Sequence, residues 1–161
     1  MKYNYVKDLM TSPAITKDEN CTIEEAIKTF QEKNIGFLPV TKGNILIGVV
    51  TDRDILLRGF GKHNPSDEIA KVLSSGEVHF VSPSTPLIDA AKMMASHKVR
   101  RLVVVDDGKA VGVITSKNII KETSLLPYIL ETYDNSKTLN PYSIYLNSNP
   151  HDSVKAADFP L

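Results

Sequence analysis

The sequence is poor in the residues that build disulfide frameworks and metal clusters. Its 161 residues contain one cysteine, Cys21, so the chain cannot close an intramolecular disulfide. No CxxC pair or cluster of cysteine with histidine indicates a zinc site. The four histidines are scattered, and none is assigned a catalytic role. With no nucleophile–base pair or metal cluster recognisable either, the sequence favours a protein that is not an enzyme.

Excess charge and long apolar runs are also missing. Lysine plus arginine and aspartate plus glutamate each number 19, so no overall charge draws the chain to nucleic acid or to an acidic membrane surface. No stretch approaches the roughly 18 apolar residues of a membrane-spanning helix. Residues 1–5 lack the apolar core of a signal peptide. We expect a soluble cytoplasmic protein.

What the sequence does contain is an internal repeat. Placing Ala26 on Ala90, an offset of 64 residues, aligns residues 16–57 with their counterparts without a gap. Upstream, residues 8–11 align with residues 71–74 at an offset of 63. The clearest matched pairs in the body of the repeat are Leu38 with Leu102, Val40 with Val104, Gly48 with Gly112, and Thr51 with Thr115.

Both copies carry the same succession of secondary-structure signals, β-α-β-β-α. The long helix of copy one is predicted to begin after Thr22, with Glu25 completing a capping box. That of copy two is predicted to begin after Thr85, with Pro86 at the first helical position. The other predicted elements are first strands at 14–16 and 78–81, hairpins at 36–50 and 101–114, and closing helices at 52–58 and 116–121.

The repeat divides the chain into four parts. Residues 1–60 hold the first copy with its N-terminal segment, residues 61–68 form a linker rich in turn formers, and residues 69–122 hold the second copy. One copy alone leaves its sheet and helix faces uncovered, whereas two copies can bury these faces against each other. The pair of copies is therefore the predicted folding unit.

Residues 123–161 form a C-terminal extension outside the repeat. Leu125–Leu130 is predicted to extend the last helix beyond a kink at Pro127. From Asn135 onwards asparagine, serine and proline dominate, which predicts an extended tail. Two interpretations of this tail remain: an arm that docks on a partner or covers a cleft, and a loosely ordered terminus.

With this repeat, the chain resembles a tandem pair of CBS domains (cystathionine β-synthase domains), the arrangement called a Bateman module. The resemblance covers about residues 6–122, and it rests on the order, spacing and duplication of several segments. These segments are Asp8–Thr11, Pro39–Val40, Gly48–Ile55, Val99–Asp106 and Gly112–Ile119. The resemblance implies an α+β fold in which two β-α-β-β-α copies pack with pseudo-twofold symmetry and enclose two clefts.

The resemblance also implies a function. In this family the clefts commonly hold adenosine compounds such as AMP, ADP, ATP or S-adenosylmethionine. It implies a regulatory sensor that requires no cofactor, forms a homodimer through its long-helix faces, and acts on an effector protein not named by the sequence. The alternative is a structural or protein-interaction module whose clefts are degenerate and empty.

Two helix N-termini are the candidate binding sites. Thr51 and Asp54 lie where a strand gives way to a helix, and a helix N-terminus offers free N–H groups to a phosphate. By resemblance, Thr51 contacts phosphate and Asp54 accepts the ribose hydroxyls. The same spacing is nearly a capping box, and capping alone would explain both residues. Copy two keeps Thr115 but has Asn118, which lacks the charge, so its cleft is predicted to hold a ribose less well.

The predicted site is completed by Arg100, Thr16 and Val81. Arg100 and Arg101 open a strand, so they are expected on opposite faces, with Arg100 the better candidate for a phosphate contact by resemblance. A solvated basic strand end is the other interpretation. Thr16 and Val81 follow or close the first strands, where the backbone in this family often contacts the adenine edge.

Overall fold

A six-stranded mixed sheet carries both copies of the repeat in the computed structural model, which describes residues 3–74 and 77–131. The strands are β1 (Lys17–Asp18), β2 (Phe37–Lys42), β3 (Ile45–Thr51), β4 (Phe80–Val81), β5 (Arg101–Asp106) and β6 (Lys109–Thr115). Their order in the sheet is β1-β2-β3-β6-β5-β4, so each copy presents its third strand to the other. A twofold axis between β3 and β6 produces this order. The combination of one mixed sheet with helices confirms the predicted α+β fold.

Five α-helices lie within residues 3–74 and 77–131. They are α1 (Ile23–Lys33), α2 (Asp52–Asp54), α3 (Leu87–His97), α4 (Ser116–Ile119) and α5 (Leu126–Glu131). Within the described residues, no helix combines the length and the apolar character needed to cross a bilayer.

The hairpins of the two copies match in detail. Each turns through two residues with positive φ, Gly43-Asn44 in copy one and Asp107-Gly108 in copy two, which are the residue types that a tight hairpin of this hand requires. Each also shifts register at the same place, after Val40 and after Val104. The repeat is therefore conserved in local backbone geometry as well as in residue type.

The starts of the long helices differ from each other. Thr22 caps α1 and Glu25 completes the box, as predicted. The predicted cap at Thr85 is wrong, because α3 is preceded by Pro86 in an extended conformation. The Thr85 hydroxyl instead accepts a 3.0 Å hydrogen bond from the backbone N–H of Ser82 and closes the turn before the helix.

The first strands differ from the prediction, because β1 lies just after the predicted residues 14–16 and β4 covers only the last two residues of 78–81. β1 pairs in parallel with β2 only at residues 17–18, and β4 pairs with β5 only at residues 80–81. Residues 14–16 are outside the sheet ladder because the backbone N–H of Ala14 donates to the carbonyl of Val111 in the other copy. These segments cross from one copy to the other before joining a sheet edge.

The segment before each first strand packs on the opposite copy. Residues 6–10, which begin with a 3-10 turn at Val6–Asp8, join the core of copy two, whereas residues 69–73, with a turn at Ile69–Val72, join the core of copy one. Backbone bonds of 2.9 Å fix both crossings, from Thr11 N–H to Val113 and from Ser74 N–H to Val49. The exchange interlocks the copies, and it could not be predicted from the 63-residue offset between these segments.

The closing helices are irregular. After α2 the chain makes a π turn over Ile55–Gly59, with Phe60 N–H donating to Ile55 at 3.0 Å. The predicted continuation through Pro127 is wrong, because α4 ends at Ile119 and α5 is a separate helix. Pro127 lies in the first turn of α5, where a missing N–H is tolerated. The predicted tail from Asn135 lies outside the described residues.

Candidate functional site

Two clefts of similar size lie between the copies, with volumes of about 400 and 390 Å³. We call them cleft A and cleft B. Cleft A is lined by Phe37, Val49, Thr51, Arg53, Ser74, Glu77, Val78, His79 and Lys98–Arg101. Cleft B is lined by Thr11, Pro13, Ala14, Ile15, Asn34–Phe37, Arg101, Val113, Thr115 and Lys117.

The clefts are equivalent under the repeat. Val49, Thr51 and Arg53 of cleft A match Val113, Thr115 and Lys117 of cleft B, and residues 98–101 match residues 34–37. Each cleft therefore takes its helix N-terminus from one copy and its opposite wall from the other. This division explains why neither copy alone could form a site.

At cleft A, Thr51 and Asp54 form a reciprocal cap at the start of α2. Thr51 Oγ1 accepts from the backbone N–H of Asp54 at 3.1 Å, and Asp54 Oδ2 accepts from the N–H and hydroxyl of Thr51 at 2.9 and 2.6 Å. The hydroxyl of Ser74 donates to the same carboxylate oxygen at 2.5 Å. Arg58 Nε lies 3.5 Å from Asp54 Oδ1. The carboxylate, whose side chain is 13% exposed, is thus held by groups from three segments.

At cleft B, Thr115 and Asn118 repeat the cap with nearly the same dimensions. Asn118 Oδ1 accepts from the N–H and hydroxyl of Thr115 at 3.0 and 2.6 Å, and the Asn118 N–H donates back at 3.1 Å. The position of Arg58 is taken by Glu122, a buried residue. The capping interpretation therefore applies to both copies, and the charge around the cap differs between them.

Positive charge gathers in cleft A. Arg53, Lys98, Arg100 and Arg101 line it with one acidic residue, Glu77, whereas Arg101 and Lys117 are the charged residues that line cleft B. The structure thus brings Arg100 of copy two into the same cleft as Thr51 of copy one, whose capping partner is Asp54. Arg100 and Arg101 both line cleft A, and β5 begins at Arg101, so Arg100 lies just before the strand on which the expectation of opposite faces is based.

Cleft A also contains a feature that the sequence did not reveal. The His79 ring stacks on that of His97 at the end of α3, with ring centroids 4.0 Å apart. His79 lines the cleft, and the residue in the equivalent position of cleft B is Ile15. Both histidines belong to copy two, and the sequence carried no signal for the pair because they are 18 residues apart and meet only when the segment before β4 pairs with β5 beside α3.

Thr16 and Val81 lie away from the two clefts. Thr16 lines a neighbouring cavity with Lys109 and Val111, and Val81 is buried in the core of copy two, paired with Val104. The chain reaches the clefts one to three residues earlier. Ala14 and Ile15 line cleft B, and Val78 and His79 line cleft A.

A cavity larger than either cleft, of about 620 Å³, is an apolar groove on copy one between α1 and the turn that follows α2. Its lining includes Ile23, Ile27, Phe30, Ile55, Leu56 and Phe60. The exposed fractions of Leu56 and Phe60 are 63% and 82%. On copy two the equivalent face is covered, because Leu125 and Ile129 of the extension pack into the core beside α3 and α4. This face is thus open on copy one and covered on copy two.

Comparison with known proteins agrees with this geometry. The CBS domain profile matches residues 6–60 and 69–124. The protein YhcV of Bacillus subtilis, a CBS domain-containing protein, is 37% identical over 109 residues, which are 68% of this chain and 78% of YhcV. The CBS domain pair of protein MJ0100, solved with 5-methylthioadenosine and S-adenosyl-L-methionine, is 28% identical with a TM-score of 0.65, over 74% of this chain and 95% of that one. CBSX2, solved with AMP, is 28% identical with a TM-score of 0.64, over 78% and 99% of the two chains. The chain belongs to the CBS domain family and carries two CBS domains that form one pair.

Proposed function

We propose that this chain is a non-catalytic regulatory sensor that binds an adenosine-containing ligand, of the AMP, ADP, ATP or S-adenosylmethionine type, between its two CBS domains. The observation that carries the proposal is the pair of equivalent clefts, each with a capped helix N-terminus in one wall and residues of the other domain opposite. The ligands of MJ0100 and CBSX2 support the adenosine class.

In this proposal the cap at cleft A changes partners when the ligand binds. The ribose diol donates to the Asp54 carboxylate and takes the place of the hydroxyl donors of Thr51 and Ser74. The two hydroxyls are then able to donate to a phosphate near the N-terminus of α2, where the helix dipole also favours negative charge. Arg100, which lines the same cleft, contributes a cation to the phosphate.

Cleft A is the stronger site in this proposal. It has the charged acceptor Asp54 together with most of the basic lining residues, whereas Thr115 and Asn118 of cleft B offer an uncharged acceptor. Hydrogen bonds to a charged group are about twice as strong as neutral ones. Because cleft A also has more basic lining residues, each additional phosphate group on a ligand increases its preference for cleft A over cleft B.

Calorimetric titration with AMP tests the assignment. Asp54→Asn keeps the cap, because it recreates the Thr115–Asn118 arrangement of copy two, and it removes only the charge. We expect this variant to bind AMP about tenfold more weakly at the high-affinity site, and Asn118→Ala to leave that site within a factor of about two. Loss of the high-affinity site in Asn118→Ala alone would assign it to cleft B and contradict the proposal.

A binding screen separates a sensor from an interaction module. Mass spectrometry of small molecules released from the purified protein identifies a bound ligand directly. AMP, ATP and S-adenosylmethionine at a hundredfold excess over their dissociation constants each raise the free energy of unfolding by about 2.7 kcal/mol if they bind the native state alone. Absence of a thermal shift with all three compounds would favour the interaction module with empty clefts.

We also propose that the effector responds to a homodimer, formed through the groove of copy one. On copy two the equivalent face is filled by apolar residues of α5, which indicates that the face requires an apolar helical cover. Leu56 and Phe60 are both exposed and at the edge of the groove, so two grooves facing each other across a twofold axis would bury them. Ligand binding beside α2 alters this interface if the ligand favours one of its arrangements.

Sedimentation velocity of the full chain tests the dimer. We expect Leu56→Glu to give a monomer, because a carboxylate would be buried at the contact. Leu130→Glu is the matched control, since Leu130 is also exposed but lies on α5 away from the groove, and it should leave the dimer intact. A monomeric wild-type chain at micromolar concentration would refute this interface.

The partly buried thiol of Cys21 agrees with the reducing, cytoplasmic location that we propose for the protein.

A further inference from the structure

Phe37 and Arg101 occupy equivalent positions in the two copies, 64 residues apart. Among the described residues that line the clefts, these two are common to cleft A and cleft B. They therefore lie at the boundary between the clefts, close to the pseudo-twofold axis.

The strand pairing shows how one arginine reaches both clefts. Arg101 is opposite Thr115 in the β5–β6 ladder, so its backbone stands beside the cap of cleft B. Phe37 is opposite Thr51 in the β2–β3 ladder, beside the cap of cleft A. The guanidinium carbon of Arg101 lies 5.8 Å from the centroid of the Phe37 ring. The side chain thus starts at one cap and extends towards the other.

Only one of these two equivalent positions carries a charge, so a single cation, the guanidinium of Arg101, lies between the two clefts. Phe37 has no charge to offer, so the guanidinium of Arg101 has no counterpart across the axis. Resting on an aromatic face, a guanidinium is held weakly and is free to turn towards an anion on either side. A bidentate contact with a phosphate group fixes its position.

We propose that Arg101 is a phosphate ligand shared by the two clefts and that it makes their binding of phosphate-bearing ligands negatively cooperative. This inference rests on the proposed function. The ligand that binds first draws the guanidinium into its own cleft, and the second ligand binds without it. Because such coupling is reciprocal, a ligand in cleft B weakens cleft A by the same factor.

The remaining charges set the order of binding. Cleft A keeps Arg53, Lys98 and Arg100 in addition to Arg101, whereas cleft B keeps Lys117. AMP therefore binds cleft A first and removes Arg101 from cleft B. Adenosine has no phosphate, so it does not compete for the guanidinium and the two clefts bind it independently.

Calorimetry on full-length variants tests the coupling. The pair of substitutions Thr51→Val and Asp54→Asn disables cleft A with nearly isosteric side chains. We expect cleft B of this variant to bind AMP about tenfold more tightly than the second site of the wild-type chain does, a typical size for coupling between sites. With Arg101→Gln added, or with adenosine in place of AMP, disabling cleft A should leave the affinity of cleft B unchanged.

The outcomes separate this inference from the proposed function. An affinity of cleft B for AMP that is the same with cleft A intact or disabled overturns the sharing of Arg101 and leaves the sensor proposal standing. A coupling that persists in Arg101→Gln also overturns it. If the wild-type chain binds S-adenosylmethionine but neither AMP nor ATP, the sharing of Arg101 is overturned and the sensor proposal stands. If it binds none of AMP, ATP, S-adenosylmethionine and adenosine, the proposed function fails and the shared ligand fails with it.

Discussion

The Nε atom of Arg58 lies 3.5 Å from Oδ1 of Asp54, four residues earlier in the chain. The same guanidinium donates to the carbonyl of Leu73 at 2.6 Å and so joins the closing turn of copy one to the segment that crosses into it. At the equivalent positions copy two has Asn118 and Glu122. The residue equivalent to Asp54 is therefore uncharged, and the residue equivalent to Arg58 is acidic instead of basic. The caps look alike, yet their electrostatic surroundings are different.

This difference predicts that an aspartate in copy two does not by itself create a second ribose site. Asn118→Asp places a carboxylate four residues before the buried Glu122, and like charges at this spacing are destabilising by about 0.2–0.5 kcal/mol on an exposed helix. We expect a lower free energy of unfolding in urea and no gain in AMP affinity at cleft B. Both are measured on the purified variant.

The control for this prediction removes the opposing charge. In the background of Glu122→Gln, the substitution Asn118→Asp should cost less stability than it does in the wild-type chain, and the difference measures the interaction between the two side chains. Equal costs in both backgrounds, or tighter AMP binding by Asn118→Asp alone, would show that Glu122 does not determine the residue at position 118.

Two equivalent glycines allow the crossing segments to approach the sheet, and they predict unequal effects. A Cβ at Gly112 would lie 2.8 Å from Met10 Sδ and 3.0 Å from the Thr11 carbonyl oxygen, whereas one at Gly48 would lie 3.0 Å from the end of the Leu73 side chain. A leucine side chain can shift, but a hydrogen-bonded backbone carbonyl cannot. We expect Gly112→Ala to lower the free energy of unfolding by about 1–3 kcal/mol and Gly48→Ala by less. Urea denaturation of the two variants checks the order, and the reverse order would contradict it.

Much of the fold could be predicted because it depends on local patterns. The hairpins at Gly43-Asn44 and Asp107-Gly108 follow from turn chemistry, and α1 follows from the box between Thr22 and Glu25. The exchange of residues 6–10 and 69–73 could not be predicted in this way, because both segments have the same apolar pattern and fit either core. Only the three-dimensional pairing decides which copy each segment joins.

The candidate site, too, could be predicted where it depends on local sequence but not where it depends on contact between the copies. The residues at the helix N-termini, Thr51 and Thr115, could be found from sequence because a strand followed by a capped helix is a local signal. The opposite wall of each cleft comes from the other copy, so the sequence could not show that Arg100 shares a cleft with Thr51. Nor could it show that Arg101 borders both clefts, since this depends on the contact between Arg101 of one copy and Phe37 of the other.

The single thiol gives a pH-dependent prediction. Burial raises the pKa of Cys21 from its ordinary value of 9.0 to about 11. Since the thiolate is the reactive form, the fraction available at pH 8 is roughly a hundredfold smaller than for an ordinary thiol. We expect slow reaction with Ellman's reagent in the native protein, with a rate that rises as the pH increases towards 11. The urea-unfolded chain is the control and should react at the ordinary rate; equal rates at pH 8 would contradict the prediction.

Helix α5 offers a matched pair of neighbouring side chains. Ile129 is 1% exposed in the core of copy two, and the adjacent Leu130 is 66% exposed. We expect Ile129→Ala to lower the free energy of unfolding by about 2–4 kcal/mol, because it removes buried methyl groups and leaves a cavity. Leu130→Ala should change it by no more than about 0.5 kcal/mol. Urea denaturation measures both.

The same pair tests what α5 does for assembly. If this helix covers a face that would otherwise associate, as the groove of copy one suggests, then loosening it exposes a second apolar surface on each chain. Ile129→Asp should therefore form species larger than the dimer by light scattering, whereas Leu130→Asp should match the wild-type chain. A folded Ile129→Asp variant whose molecular mass equals that of the wild type would show that α5 stabilises copy two without limiting its association, and the difference between the two faces would then concern stability alone.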